Sequence, residues 1–195
     1  MKEVLYHQLS QVFPLTQEEF EPIAAILQVQ TYKKGDRILD FGQVERRTNM
    51  VISGSVHQYI FIDGEAFTID ISLSGMYFNN YKSYLEETPS IETQEALTDT
   101  EVLYMEKKDS EKLLLESHSF CYIYMKSWEQ THLEREKRSW VLQNKNANKR
   151  FELFMTTNKN AKRYLEEVSQ KKIAEYLSLS PETFSRVKKA YFLNN

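Results

Sequence analysis

The spacing of apolar residues changes twice along the chain. From Met1 to about Ile26 it is helical: Leu5, Leu9 and Val12 share one face, and Phe20, Ile23 and Ile26 follow Thr16, which stands as an N-cap before Gln17-Glu18-Glu19. From about Leu27 to Glu106 the period shortens to two, in brief runs: VQTYKKGDRILDFGQ, NMVISGSVHQYIFIDGEAFTIDISLSG and EVLYME. Lys34-Gly35-Asp36, Ser53-Gly54-Ser55, Asp63-Gly64 and Ser74-Gly75 punctuate them. Asp63-Gly64 between two alternating runs predicts a hairpin, because both residues tolerate the positive φ of a tight two-residue turn. Many short strands turned at this spacing imply a sandwich, jelly roll or small barrel.

Helical spacing then returns. Lys108 to Glu116 reads as a short helix with Leu113, Leu114 and Leu115 covering the barrel, and a longer helix follows from about Phe120 to Leu142. In it Phe120, Tyr124 and Trp128 form a seam, but Glu129 to Ser139 is mostly charged, with Leu133 its main apolar residue, so no clean heptad continues. Asn144 to Asn148 reads as a polar hinge. Beyond it Lys149-Arg150-Phe151-Glu152-Leu153-Phe154 opens a scaffold helix, and Tyr164 and Leu165 lead into the densest signal of the chain.

That signal is SQKKIAEYLSLSPETFSRVKK, from Ser169 to Lys189. Ile173, Ala174 and Leu177 fall at helical spacing, as do Phe184 and Val187, and Ser178-Leu179-Ser180-Pro181 separates the two sets. Ser180 has the side chain to accept the orphan amides of a first turn, Pro181 suits N1 and Glu182 suits the positive end of the helix dipole. The pattern predicts a helix, a tight turn and a second helix. On the second helix Glu182, Ser185, Arg186 and Lys189 share the face opposite Phe184 and Val187, so the outer face carries hydrogen-bonding heads.

Charge is segregated in the same sense. The chain carries a net −3, yet from Lys145 to Asn195 eleven Lys and Arg stand against five Glu, a local +6 that leaves −9 for the rest. A basic end on an acidic body fits a nucleic-acid-binding domain joined to a sensing or dimerising one. No apolar run approaches the length that spans a bilayer, and MKEVLYHQLSQVF lacks the apolar core of a signal peptide, so the expected location is the cytoplasm with no membrane contact. The one cysteine, Cys121, forms no internal disulfide and ligates no iron–sulfur cluster alone; it is expected as a small buried apolar side chain.

The segment resembles the helix-turn-helix of bacterial transcription regulators. With Gln170 as first position, the apolar places are Ile173, Leu177, Leu179, Phe184 and Val187 and the small fifth is Ala174. The ninth position, usually Gly in the left-handed conformation, is Ser178. IAEYLSLSPETFSRVKK is similar more narrowly to the signature of the cyclic-AMP receptor protein and fumarate-nitrate regulator (Crp/Fnr) superfamily. Lys33-Lys34-Gly35-Asp36, Val51-Ile52-Ser53-Gly54-Ser55-Val56 and Ala96-Leu97-Thr98-Asp99-Thr100-Glu101-Val102-Leu103 resemble turns and strands of its cyclic-nucleotide-binding β-roll.

The resemblance implies an α+β fold in three parts. Residues 1–118 would form a double-stranded β-helix or jelly roll with flanking helices, 119–143 a long helix that links and dimerises, and 144–195 a helix-turn-helix domain related to winged helices. Its wing would come from Met155 to Val168 or be missing. The implied partners are palindromic double-stranded DNA, a second copy of the chain and RNA polymerase. By the same resemblance Glu182 and Arg186 match the family's base-contacting pair, for which Arg to guanine and Glu to cytosine are suitable pairings. Ser180, Pro181, Thr183, Ser185, Lys188, Lys189, Lys171 and Lys172 complete the expected DNA face. Pro181 replaces a residue that is often arginine, so the preferred DNA sequence is expected to differ.

At the ligand site the chain departs from the family. Cyclic-nucleotide-binding members carry a glutamate for the ribose and an arginine for the phosphate. Anchored on Gly75, the first falls on Met76; anchored on Ala96, the second falls near Ser90, followed by Ile91. No Arg or Lys lies between Tyr84 and Tyr104, while Glu86, Glu87, Glu92 and Glu95 do, and carboxylates repel a phosphate. Cyclic AMP is therefore expected not to bind in the family manner, and no cofactor is evident. A pocket around Gly75, Met76, Tyr77, Phe78, Ser90 and Ile91 either takes another effector, neutral or aromatic, or is closed by Tyr77, Phe78, Tyr81 and Tyr84. The alternative classes are a module whose helix-turn-helix binds a protein and a cupin-like metal enzyme. His7, His57, His118 and His132 are scattered, and with no metal-ligand spacing, nucleophile elbow or phosphate loop, no catalytic or metal site is expected.

Overall fold

The structure, a computed structural model, describes residues 2–194. Two helices open the chain, α1 (Lys2–Val12) and α2 (Gln17–Ile26). Thr16 caps the second through a capping box: its Oγ1 accepts from Glu19 N at 3.2 Å while a Glu19 carboxylate oxygen accepts from Thr16 N at 2.9 Å.

Eight strands follow: β1 (Gln28–Tyr32), β2 (Arg37–Leu39), β3 (Arg47–Ser53), β4 (Ser55–Ile62), β5 (Glu65–Leu73), β6 (Tyr77–Phe78), β7 (Glu92–Ala96) and β8 (Thr100–Glu106). They form two four-stranded antiparallel sheets, ordered β1-β8-β3-β6 and β2-β7-β4-β5. β4 and β5 are joined by Asp63 and Gly64 at φ 52 and 84, the primed hairpin turn that this dipeptide favours. Between β3 and β4, Gly54 has φ 85, and a Cβ there would lie 2.5 Å from the Asp99 carbonyl, so sterics as well as dihedral require glycine.

The inner faces of the sheets meet over Val51, Val56, Phe78, Ala96 and Val102. The outer face of the first sheet is covered by α1, α2, α4 (Lys107–Glu116) and the start of α5 (His118–Gln143), through Leu5, Leu9, Ile23, Leu103, Met105, Leu113, Phe120 and Ile123. A short helix, α3 (Tyr81–Glu86), lies between β6 and β7, capped by Asn80.

Three expectations are corrected here. Leu113 is buried but Leu115 is 91% exposed, because three consecutive helical residues cannot share a face. Phe120, Tyr124 and Trp128 are turned into the chain's own N-terminal unit: Phe120 is buried in the core beneath the first sheet, the Tyr124 hydroxyl meets Tyr84 of α3 and Thr48, and Trp128 packs on Tyr81 of α3. Cys121 is exposed rather than buried.

After Gln143 the chain is helical: α6 (Ala147–Thr157), α7 (Ala161–Glu167), α8 (Gln170–Tyr176) and α9 (Pro181–Asn194). Among the described residues no strand follows β8, so the segment from Met155 to Val168 supplies no wing; it is the end of α6 and α7. Phe151, Phe154, Tyr164, Ile173, Leu177 and Phe184 form the core of this unit, and Ile71 and Leu73 of β5, both fully buried, belong to the same core.

Candidate nucleic-acid interface and ligand pocket

Helices α8 and α9 are joined by a turn in which Ser178 takes φ 51, the left-handed conformation that glycine adopts without strain. The turn closes with Leu179 N donating to Ala174 O at 2.8 Å and Ser178 N to Glu175 O at 3.0 Å. Arg150 of α6 holds it from outside: its Nη1 donates to the carbonyls of Leu177 (2.9 Å) and Ser178 (2.8 Å), while Nε and Nη2 donate to Asn144 O. Thus the segment from Asn144 to Asn148, polar as expected of a hinge, is tied by one guanidinium to the turn between the last helices.

Ser180 Oγ accepts from Thr183 N at 3.2 Å and caps α9. Burial then fixes which side of α9 faces out. Phe184 and Val187 are buried, whereas Pro181, Glu182, Ser185, Arg186 and Lys189 are exposed and Thr183 and Lys188 half-buried. Among the described residues no hydrogen bond or ion pair engages Arg186, Lys188 or Lys189. Lys171 is exposed; Lys172 is half-buried, paired with Glu175 at 2.7 Å, and faces the β-roll. There it lies near His57, a buried imidazole whose Nε2 is bonded to Thr68 Oγ1 at 2.9 Å; burial, with Lys172 and Arg37 nearby, pushes its pKa down to about 3.

The helical unit is docked on β5. Tyr164 Oη donates to Ile71 O, Arg163 Nη1 donates to Ser74 O at 3.0 Å, and Arg138 Nη2 donates to both Thr68 O (3.1 Å) and Tyr176 O (2.9 Å). The Arg138 guanidinium also lies over the Tyr176 ring, 4.4 Å from its centroid. Beside it the half-buried Asp70 carboxyl is pushed up by desolvation, against the opposing pull of Arg138 and Arg135.

Inside the β-roll, alternation turns Val56 and Gln58 of β4 and Ala96, Gln94 and Glu92 of β7 toward the first sheet, where Gln58 and Gln94 are fully buried. Glu45 enters from the loop before β3. Its Oε2 accepts from Gln94 Nε2 at 2.9 Å, its Oε1 from Arg47 N, and its own N–H donates to Ser83 Oγ. Burial raises the Glu45 pKa to about 7, opposed by these hydrogen bonds, and burial raises Glu92 as well. Gln58 Nε2 donates to Asn79 O and Glu92 Oε2, but Gln58 Oε1, Gln94 Oε1 and Asn79 Nδ2 are buried without a partner.

The six expected pocket residues are therefore dispersed. Gly75, Met76 and Tyr77 line a cleft between the β-roll and the helical unit, with Met76 packed against the core of that unit. Phe78 enters the apolar interior, Ser90 is buried with its Oγ bonded to Glu92, and Ile91 is 60% exposed. Gly75 belongs to the turn before β6, whereas the interior is met four residues later, at the buried Asn79 and Asn80 before α3. The period-two alternation that places Gln58 with Val56 and Gln94 with Ala96 carries the signal for this interior; Glu45, in a loop, carries none.

Residues 29–117 match the family model of the cyclic nucleotide-binding domain. No curated protein sequence matches the chain significantly. Among solved structures it is similar to FixK2 from Bradyrhizobium japonicum, at 22% identity over 87% of this chain and 86% of that one, with a TM-score of 0.66. It is similar to a CooA mutant from Carboxydothermus hydrogenoformans at 18% identity over 94% and 83%, with a TM-score of 0.68. The regulator CLP of Xanthomonas campestris, described as c-di-GMP responsive, matches at 17% identity over 92% and 93%, with a TM-score of 0.66. At these identities the likeness is one of fold. No helix among the described residues is long and apolar enough to cross a membrane.

Proposed function

From the cyclic nucleotide-binding domain at residues 29–117 and the fold that this chain shares with Crp/Fnr regulators, we propose a homodimeric transcription regulator that reads DNA through α9 and does not respond to cyclic AMP through its β-roll. The observation that carries the reading is the polarity of α9: Phe184 and Val187 are buried, and Glu182, Ser185, Arg186 and Lys189 stand free on the other side. Arg186 supplies a bidentate donor for guanine O6 and N7, Glu182 an acceptor for cytosine N4, and the Ser180 cap with its neighbouring amides suits a phosphate. Lys188, Lys189 and Lys171 add sequence-independent attraction.

Two half-sites require two copies. The exposed flank of α5, with Cys121, Met125 and His132, is the surface on which a second α5 would pair. In this reading residues 1–118 sense or scaffold, 119–143 pair, and 144–195 bind DNA. The β-roll interior argues against cyclic AMP because Glu45, Glu92 and two glutamines stand in it with no cation among its described residues to meet a phosphate, and carboxylates oppose one. The structural relatives are regulators rather than enzymes, and RNA polymerase is the natural further partner.

Selection of bound fragments from random duplex DNA tests the reading. An enriched inverted repeat, lost with Arg186→Ala, is the expected result. If nothing is enriched at low salt, or Arg186→Ala selects the same fragments as the parent, α9 is not a DNA reader, and a protein partner for it becomes the better explanation.

A further inference from the structure

A cleft of about 740 Å³ opens between the β-roll, α5 and the helical unit, within the range of small-molecule sites. β5 and the turn from Ser74 to Tyr77 form one wall, α5 the floor, and the segment from Thr157 to Tyr164 the other wall. Six cationic side chains line it against three carboxylates. Arg135 faces Asp70, Lys126 pairs with Glu129 and Lys137 with Glu134, which accounts for all three carboxylates, and Arg163 pairs with Glu167 outside the cleft at 2.8 Å, which leaves Arg138 and Lys159. Lys159 is left without an acidic partner among the described residues, and the buried Nε of Arg138 donates to nothing. An unmet guanidinium N–H and an excess of cations on concave walls are the complement of a small anion.

We propose that this cleft, rather than the β-roll interior, is the effector site, and that its ligand is a small organic anion bearing phosphate or carboxylate groups. The inference rests on the reading of the chain as a DNA-binding regulator, but it concerns a separate surface. Its walls belong to the β-roll and to the helical unit, so a ligand seated here touches both. Arg138 and Arg163, which line the cleft, also hold the helical unit on β5 through the carbonyls of Tyr176 and Ser74. An anion that draws their donors competes with those bonds and shifts the balance between docked and released placements of α9.

Calorimetric titration of the full chain, without DNA, tests this with pyrophosphate for the phosphate class and citrate for the carboxylate class. Saturable binding of one of them is expected, weakened about tenfold or more by the rim variants Lys126→Glu and Lys159→Glu and unchanged by Glu45→Gln in the β-roll interior or Arg186→Ala on α9. The bound anion is also expected to change DNA affinity on the scale usual for coupled sites, roughly five-fold or more. Failure of both anions to bind, binding indifferent to the cleft variants, or binding lost only with Glu45→Gln or Arg186→Ala would overturn the proposal. Because the titration contains no DNA, a failure here leaves fragment selection by α9 as an independent result.

Discussion

The hydroxyl of Tyr164 donates to the backbone carbonyl of Ile71 over 2.6 Å, and both residues are buried. Ile71 belongs to the β-roll and Tyr164 to the helical unit, so one hydrogen bond records how the two are joined. Burial and the neighbouring Tyr176 raise the Tyr164 pKa well above the usual phenol range, which keeps it a donor.

Removing that hydroxyl is the mildest way to loosen the docking. Tyr164→Phe keeps the ring against Phe154 and Tyr176 but leaves the Ile71 carbonyl without its donor. A loss of about 1–2 kcal/mol is expected in urea unfolding. DNA affinity is expected to change as well, because the placement of α9 depends on the docked state.

Arg138→Ala is expected to cost somewhat more, about 2–3 kcal/mol, since it deletes two carbonyl contacts and removes one of the two guanidiniums that offset half-buried Asp70. The cause is checked by a second change. If the penalty comes from the Asp70 carboxylate, which then keeps only Arg135, Asp70→Asn in the Arg138→Ala background recovers part of it, whereas purely lost packing would not be recovered.

Ser178 is a non-glycine residue in the left-handed region, at φ 51, and Arg150 compensates it by bonding its carbonyl. Ser178→Gly removes the Cβ strain of about 1–2 kcal/mol but gives the unfolded chain more freedom, so a net gain of about 1 kcal/mol is expected in thermal or urea unfolding. DNA selection should be unchanged, because the turn backbone stays as it is.

Glu45 gives a pH signature. With its folded pKa raised to about 7, the native chain keeps a proton that the unfolded chain releases near the ordinary glutamate value. Between those values the unfolded state binds fewer protons, so this group's contribution to stability falls as pH rises from about 4.5 to 7. Glu45→Gln removes that slope. Its amide finds an acceptor in Gln94 Oε1, which has no partner, so the variant is expected to be more stable at pH 8 by on the order of 1–3 kcal/mol and little changed at pH 5. Urea unfolding at the two pH values reads the difference.

How much of this was legible depended on what enforces each pattern. The outer face of α9 follows from Phe184 and Val187, because a buried stripe leaves no choice about the opposite side. Asp63-Gly64 was readable because few residue pairs adopt its dihedrals. The aromatic stripe Phe120, Tyr124 and Trp128 shows that a face is buried without saying against what, and its partner proved to be the β-roll. Alternation puts Gln58 and Gln94 on the face of Val56 and Ala96, yet their polar side chains read as solvent-facing, so the pattern was there and the residue type masked it. Ile71 and Leu73 read as ordinary core positions, and nothing local indicates that the core they enter belongs to another unit.

The Arg150 clamp changes what kind of motion is available. With Asn144, Leu177 and Ser178 held by one side chain, the last four helices and the end of α5 turn as one piece, like a lever with no wrist. On the proposed reading, a signal that releases β5 is expected to swing α9 with its turn intact rather than reshape it. In a dimer such a swing alters the separation of two recognition helices, which a DNA duplex registers as half-site spacing, near 34–36 Å for one helical turn. If α9 reads DNA in a dimer, as proposed, such a swing selects among operators by the number of base pairs between their halves and leaves the bases preferred within each half constant.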